Sequence, residues 1–265
     1  MWRKLFFQND SFERGIQNLL RSGIVSISDS GIIEPINRTL DYSSNWLFFG
    51  HTTANRDCYL WHQVMFNHFS LVPEFCRFKC YKIVIKVRNF LEAIHLYNAM
   101  HTGPHLLADL TLIHGKVGID ERHYTDGYFN GFVYCNGLED AIEKYVDVKK
   151  IVLTQIPHGE EIEIIIKRSC TEMEQRFGAT NLPFWQEMSK DDLELQSRIE
   201  DIFAKQTCSA VQPDWLKNKI ITKMVKWANT VGDKSWIEYF GQDFLTMKAI
   251  TYHHLSKGDK ENGSS

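Results

Sequence analysis

A short stretch of alternating side chains, residues 161–167, constrains the fold more than any other part of the sequence. It reads Glu-Ile-Glu-Ile-Ile-Ile-Lys. Because successive side chains of a β-strand point to opposite faces, its isoleucines face a core while Glu161 and Glu163 lie together on the other face. The stretch therefore predicts a strand that carries two neighbouring carboxylates. Chemistry at a sugar carbon can use such a pair, although an amphipathic edge strand with solvated carboxylates has the same pattern.

The period of the apolar residues predicts the other elements. We predict strands at residues 2–7, 46–49, 80–87, 128–134 and 150–156, the last forming a hairpin with 161–167, and helices at 11–23, 55–69, 89–100, 138–145, 191–205, 214–230 and 236–250. Residues 24–45 are predicted to form a long loop, and residues 101–126 have no clear period. Because the strands stop near residue 170, we predict an α+β fold, with a mixed sheet core, flanking helices and a helical C-terminal extension. The predicted boundaries are a first domain at 1–170, a helical extension at 171–256 and a disordered tail at 257–265.

The composition excludes several classes of protein. Apolar residues make up 43% of the 265 residues, which is enough for a core and excludes wholesale disorder. The formal net charge of −3 gives no global basic field for nucleic acid. No run approaches the ~18 apolar residues of a membrane span, and no signal peptide is visible, so we expect a cytoplasmic protein without a membrane partner.

The six cysteines do not have the spacing of a disulfide scaffold. Cys76 and Cys80, with His62 and His68 upstream, come nearest to a metal motif. A structural zinc site usually has a second close pair of ligands, which is missing here. Reduced, partly buried thiols are the favoured interpretation, and no metal is expected.

The order of these segments resembles the ADP-ribosyltransferase superfamily, in particular its small bacterial toxin-like, NAD-consuming members. A predicted first strand runs into a helix that ends Leu-Leu-Arg-Ser-Gly-Ile. The strand Trp-Leu-Phe-Phe-Gly then runs into His-Thr-Thr and an aromatic helix, and a late strand carries Glu-x-Glu. The resemblance covers residues 2–168 and implies a split-sheet core of the ADP-ribosyltransferase type.

The resemblance also implies roles for individual residues. Glu163 corresponds to the catalytic carboxylate and Glu161 to its partner. Thr52 and Thr53 stand where the family has Ser-Thr-Ser, and Tyr59 corresponds to an aromatic wall of the NAD pocket.

The predicted first strand departs from the family at the position where relatives place an Arg or His that contacts NAD. Gln8 stands there, followed by Asn9 and Asp10. Arg3 or His51 could take over that contact.

The activity implied is ADP-ribosyl transfer from NAD, used as a substrate, to a nucleic acid or protein. Cleavage of the nicotinamide–ribose bond builds positive charge on the ribose, as in glycoside chemistry. A fixed carboxylate such as Glu163 can lower that barrier by ~3–4 kcal/mol, while Glu161 orients or deprotonates the acceptor. Such an enzyme would act as a toxin or in phage defence, and an inhibitor protein (antitoxin) is a possible partner.

Two alternatives to ADP-ribosyl transfer stay open, a ribonuclease and a non-catalytic binding protein. Arg56 and His62 have the Arg-x5-His spacing of a class of toxin-like helical ribonucleases, in which both residues serve RNA cleavage. The helix at 214–230 carries Lys219, Lys223 and Lys226, which suit a nucleic-acid backbone or form a solvated face. A non-catalytic binding module with a merely superficial carboxylate pair is the third possibility.

Overall fold

A computed structural model describes residues 2–36, 44–50, 58–102, 113–125, 127–204 and 212–245, with side chains from residue 12 onward. The helices are α1 (Trp2–Arg21), the π-helix α2 (Tyr59–Phe66), α3 (Asn67–Phe69), α4 (Glu74–Phe78), α5 (Phe90–Thr102), α6 (Leu138–Gln155), α7 (Thr171–Phe177), α8 (Lys190–Phe203), α9 (Asp214–Thr230) and α10 (Ser235–Phe240). The strands are β1 (Val25–Ile27), β2 (Ile33–Pro35), β3 (Trp46–Phe49), β4 (Cys80–Lys86), β5 (Gly115–Ile119), β6 (Phe129–Asn136) and β7 (Glu163–Arg168). The chain is mixed α and β, 53% helical and 18% strand, which confirms the predicted α+β class.

The main sheet has five strands in the order β3-β5-β6-β4-β7, and each pair of neighbours is antiparallel. From β4 to β7 the chain runs β-α-β-β-α-β, with α5 and α6 as the two crossovers. This connectivity, together with the strand order β5-β6-β4-β7, is the split βαβ arrangement that is termed ferredoxin-like. A separate hairpin pairs β1 with β2.

One face of the main sheet carries the largest apolar core, and we call it the core face. Ile83 and Ile85 of β4 are fully buried there, and Phe90 of α5 is equally inaccessible. Gly131 of β6 lets α5 approach closely, because an added Cβ would lie 2.4 Å from a methyl carbon of Leu96. Helices α9 and α10 belong to the same core through the buried side chains Leu216, Ile220, Met224, Val225, Ala228 and Trp236.

Two smaller apolar clusters lie outside this core. One joins α1, the hairpin, α2, α3 and α8 around Leu19 and Phe203. The other surrounds Trp185 and includes Cys76 and Cys80. These clusters fix the position of α2, which carries His62, and the start of α7, which carries Glu172.

The outer edge of β3 is closed by one amide side chain. Gln212, which precedes α9, donates from Nε2 to the Trp46 carbonyl oxygen at 3.0 Å. Its Oε1 accepts from the Phe48 N–H at 3.2 Å. The amide thereby satisfies backbone groups that an additional strand would otherwise bind.

Several predicted elements are confirmed and several are wrong. The strands at 46–49, 80–87 and 128–134 and the helices at 89–100 and 214–230 correspond to β3, β4, β6, α5 and α9. The predicted strand at 2–7 is wrong, since these residues begin α1, and so Gln8 lies in a helix instead of at a strand end. The predicted strand at 150–156 is also wrong, because 150–155 continue α6. A short apolar run does not distinguish strand from buried helix by its period, and here helical spacing buries Val148 and Val152.

Of the helices in the described ranges, none is long and apolar enough to cross a membrane. The predicted boundary at residue 170 stays a prediction. Side chains on both sides of it share the core of the main sheet, since Leu216 and Trp236 pack with residues of β4 and α5.

Candidate functional site

The two predicted catalytic carboxylates lie at the free edge of the main sheet. Glu163 is the first residue of β7, and its side chain forms an ion pair with Lys86, with 3.0 Å between Oε2 and Nζ. Glu161 lies before the strand, in a 3-10 turn, and forms an ion pair with Arg88. The prediction that both carboxylates sit on one strand face is therefore wrong. Both side chains are more than half exposed, at 59% and 55%.

The remaining residues of the predicted NAD pocket are not brought to these carboxylates. Thr52, Thr53 and His51 lie outside the described residues. Gly50, the last described residue before them, follows β3, at the opposite edge of the sheet from β7. Four inter-strand steps of about 4.8 Å separate these edges, roughly 19 Å in all.

Tyr59 and Gln8 lie on other elements. Tyr59 begins α2 and packs against the cluster around Leu19. Gln8 is part of α1. Neither residue lies on the main sheet, which carries Glu163.

The face of the main sheet opposite the core carries polar and aromatic side chains, and we call it the polar face. Paired residues project to the same face of a sheet, so the register defines its members. Lys116 pairs with Phe132, and Lys82 pairs with Tyr134. With Trp46 of β3, these residues form what we call the lysine–aromatic cluster.

Both lysines of this cluster lie over aromatic rings. The Lys116 Nζ is 4.2 Å from the centre of the Trp46 ring and 5.6 Å from that of Phe132. The Lys82 Nζ is 5.1 Å from the centre of the same Phe132 ring. Such contacts stabilise each ammonium by roughly 0.5–2 kcal/mol.

Among the residues that the structure describes, no acidic side chain pairs with the two ammonium groups. Lys82 is only 6% exposed, and within the described ranges neither lysine has a carboxylate or hydrogen-bonding partner. Burial lowers the pKa of Lys116 from 10.5 to about 8, and the positive charge of Lys82 adds to this effect. Because a buried charge without a counterion is costly, the cluster favours an anion that would supply one.

A second set of charges beside the cluster is fully paired. Arg122 donates to both oxygens of Asp120, each at 2.6 Å, and to the Glu172 carboxylate at 2.7 Å. Asn130 also donates to Asp120, at 3.2 Å. Burial opposes ionisation of Glu172, but its own backbone N–H, Arg122 and the Tyr124 hydroxyl outweigh it, and the pKa of Glu172 falls to about 2. This network fixes Arg122 and leaves it little freedom to bind a ligand.

His62 of α2 lies next to this network. Its Nε2 is 4.0 Å from the Glu172 carboxylate, and its Nδ1 is 3.2 Å from the Gln63 amide. Burial lowers the pKa of His62 below 6.5, against the opposing effect of Glu172, and the charges of Lys116 and Lys82 lower it further. The imidazole is therefore neutral at pH 7 and can accept a proton. Its predicted companion Arg56 lies outside the described residues.

Of the three cysteines near the lysines, Cys58 and Cys170 do not neutralise them, whereas a hydrogen bond with Cys76 and the charge of Lys82 lower the pKa of Cys80. Burial, with the nearby thiols of Cys80 and Cys170, raises the pKa of the Cys58 thiol. Burial likewise raises the pKa of Cys170. Their protonated thiols bring no negative charge to the lysine–aromatic cluster.

In the described part of the chain, one group of side chains brings three potential metal ligands within 4.8 Å of one another, namely His158, Glu160 and Glu161. All three are exposed. Exposed acidic groups of this kind are common without an ion, so the group by itself assigns no metal. Cys76 and Cys80 are instead buried in the cluster around Trp185.

The arrangement as a whole can bind an anion and transfer a proton. Lys116 and Trp46 are largely buried but not closed off, so part of the cluster is reachable from solvent. Two cations suit a phosphate group, and the rings beside them suit a base.

The sequence contained part of this signal, since Lys82 and Lys86 alternate with the buried isoleucines of β4. Lys116 was missed because β5 was not predicted.

Comparison with known proteins gives no match, either to a family model, to a curated protein or to a solved structure.

Proposed function

We propose that the protein cleaves RNA phosphodiesters at the polar face of its sheet. The observation that carries the proposal is the pair Lys82 and Lys116, beside aromatic rings and the neutral imidazole of His62. The described residues supply no carboxylate to either cation. A phosphate bound there would be the counterion that the cluster lacks. A base of the same nucleotide can stack on a ring such as Trp46.

The chemistry needs one base, one acid and positive charge at the phosphate. His62 removes the proton of the ribose 2′-hydroxyl, whose oxygen attacks the adjacent phosphorus while the bond to the 5′-oxygen breaks. Lys116, with a pKa of about 8, is protonated at neutral pH and can give that oxygen a proton. Lys82 stabilises the charge on the phosphate oxygens, where one preorganised group is worth ~3–4 kcal/mol. The products are a 2′,3′-cyclic phosphate and a free 5′-hydroxyl.

The test uses a fluorescent single-stranded RNA oligonucleotide and its all-deoxy counterpart. We expect the purified protein to bind both and to cleave only the RNA, because the deoxy strand has no 2′-hydroxyl. His62→Gln should lose cleavage and keep binding, whereas Lys82→Met should weaken binding. Lys190→Met is the matched control, since Lys190 is exposed on α8, away from the cluster. Undiminished cleavage by His62→Gln would reject the assignment.

ADP-ribosyl transfer from NAD is the second candidate, and the sheet register supports it. Glu163 pairs with Lys86, four residues along β4 from Lys82, so Glu163 projects from the polar face as well. Four residues along a strand span about 13 Å, a distance that an extended dinucleotide can bridge. The lysine–aromatic cluster would hold the pyrophosphate, and Glu163 would stabilise the positive charge on the ribose. The acceptor would be a nucleic acid or a protein.

Release of nicotinamide from NAD separates this candidate from the first. Glu163→Gln should abolish the release, and Glu160→Gln, an exposed neighbour outside the ion pairs, should not. Release that continues unchanged in Glu163→Gln would eliminate Glu163 as the catalytic carboxylate. If neither RNA cleavage nor nicotinamide release is detected, a non-catalytic binding protein is left.

A further inference from the structure

Helix α6 presents a row of apolar side chains to solvent. Leu138, Ile142, Val146 and Leu153 are 48%, 52%, 64% and 48% exposed. Their spacing puts them on one side of the helix, next to the buried residues Ala141, Val148 and Val152, and the exposed Lys149 lies among them. We call this row the α6 stripe. A row of exposed apolar side chains of this kind is typical of an interaction site.

The other crossover helix shows what normally covers such a position. The rings of Tyr239 and Phe240 in α10 lie 5.8 Å and 6.2 Å from that of Phe90 in α5. Phe90, which also belongs to the core of the main sheet, is fully buried. Within the described ranges, no helix covers the outward side of α6 as α10 covers α5. About half of the surface of each stripe side chain is therefore exposed.

The charges beside the stripe are arranged in two halves. Glu139 and Glu143 lie in the first half of α6 and Lys150 in the second half, and helical spacing puts all three on the same flank of the stripe. All three are exposed, and none has an ion-pair partner in the part of the chain that the structure describes. This flank is therefore acidic at one end and basic at the other.

We propose that two copies of the chain associate through their α6 stripes, with the two helices antiparallel. A two-fold axis that relates antiparallel helices keeps each flank on its own side and reverses its direction. With the axis near Val146, Glu143 of one copy faces Lys150 of the other, and both ends of the flank are matched. A parallel pair would place the two charged flanks on opposite sides of the interface, so Glu143 and Lys150 would not meet.

The arrangement fits the position of the candidate site. Helix α6 covers the core face of the main sheet, through side chains such as Val148 and Val152, whereas the lysine–aromatic cluster lies on the polar face. Association through α6 therefore leaves both polar faces pointing away from the interface. The dimer would present two separate sites to one long ligand or to two short ones.

The test measures the mass of the full chain in solution by sedimentation velocity as a function of concentration. We expect a monomer–dimer equilibrium, and Val146→Glu should weaken it by about 100-fold, since it sets two carboxylates against each other. Ile27→Glu is the matched control, because Ile27 is 58% exposed but lies on the β1–β2 hairpin. Circular dichroism should show each variant to be folded.

Charge exchange identifies the orientation. Glu143→Lys alone and Lys150→Glu alone should each weaken the dimer, and the double variant should restore it to within about threefold of the original affinity. A wild-type chain that stays monomeric at high micromolar concentration would overturn the proposal. So would a double variant weaker than either single one, because opposed pairs would then not be in contact.

Discussion

The two faces of the main sheet are made by the same strands and differ in almost every physical respect. On the core face, Ile83 and Ile85 of β4 are fully buried against α5 and α6. On the polar face, Lys82 of the same strand is buried to nearly the same degree but carries a charge. The isoleucines of β4 thus stabilise the fold, whereas burial of the Lys82 charge on the same strand costs free energy. That asymmetry points to the polar face as the part of the sheet shaped by a ligand.

The largest effect should come from the core face. Phe90→Ala removes a fully buried ring and should lower the free energy of unfolding by about 3–5 kcal/mol. Urea denaturation measures the change. Phe48→Ala on the polar face is the control and should cost less, because Phe48 is only partly buried. Equal losses would mean that the polar face is as important for packing as the core.

The paired charges of the polar face should come next. Asp120→Ala leaves Arg122 without its two shortest hydrogen bonds and should cost about 2–3 kcal/mol in the same denaturation experiment. The Asp120 side chain is 1% exposed, so water does not replace it readily. Asp120→Asn keeps the shape and should lose less. A neutral effect of Asp120→Ala would show that the network adds nothing to stability.

The unpaired charge should behave in the opposite way. Lys82→Met replaces a buried ammonium with an apolar chain of similar length and should raise the free energy of unfolding by about 1 kcal/mol. The same variant should lose affinity for RNA. A gain in stability at the expense of binding is the signature of a residue retained for function. Destabilisation by Lys82→Met would remove the basis for calling the lysine uncompensated.

The smallest effect is a dependence on pH. The lowered pKa of Lys116 means that the folded protein loses this charge as the pH rises through about 8, while the unfolded chain keeps it up to about 10.5. RNA affinity should therefore fall above pH 8, and stability should rise over the same interval, because the unfolded chain then binds more protons. Fluorescence anisotropy at several pH values measures the affinity. Lys116→Arg keeps its charge and should flatten the profile.

The sequence predicted the elements with an unambiguous period. The alternation of side chains in β4 and the helical period of α9 were sufficient to predict these two elements, since each pattern is local in the sequence. Strand β5 was missed because Gly115 and Gly118 interrupt its pattern, and both glycines are needed where neighbouring backbone comes within 2.0 Å of an added Cβ. The second half of α6 resembled a strand because its β-branched residues suit both conformations.

The candidate site was less predictable than the fold. His62 was recognised as part of an alternative, but through its spacing from Arg56 and not through its contact with Glu172, 110 residues away along the chain. The cluster of Lys82, Lys116 and Phe132 depends on the pairing of three strands, which no local pattern specifies. Glu161 and Glu163 stood out in the sequence because only one residue separates them, whereas in the structure each forms an ion pair with a different cation.

The amide of Gln212 has a consequence for how this protein avoids self-association through its sheet. An open strand edge is a template for other chains, and β3 would offer the Trp46 carbonyl and the Phe48 N–H in sequence. The side-chain amide of Gln212 hydrogen-bonds to both of these backbone groups, as a single peptide unit of a neighbouring strand would. A lone side chain thus imitates the backbone of a missing neighbour, and polymerisation through β3 is stopped by one residue instead of by a whole strand.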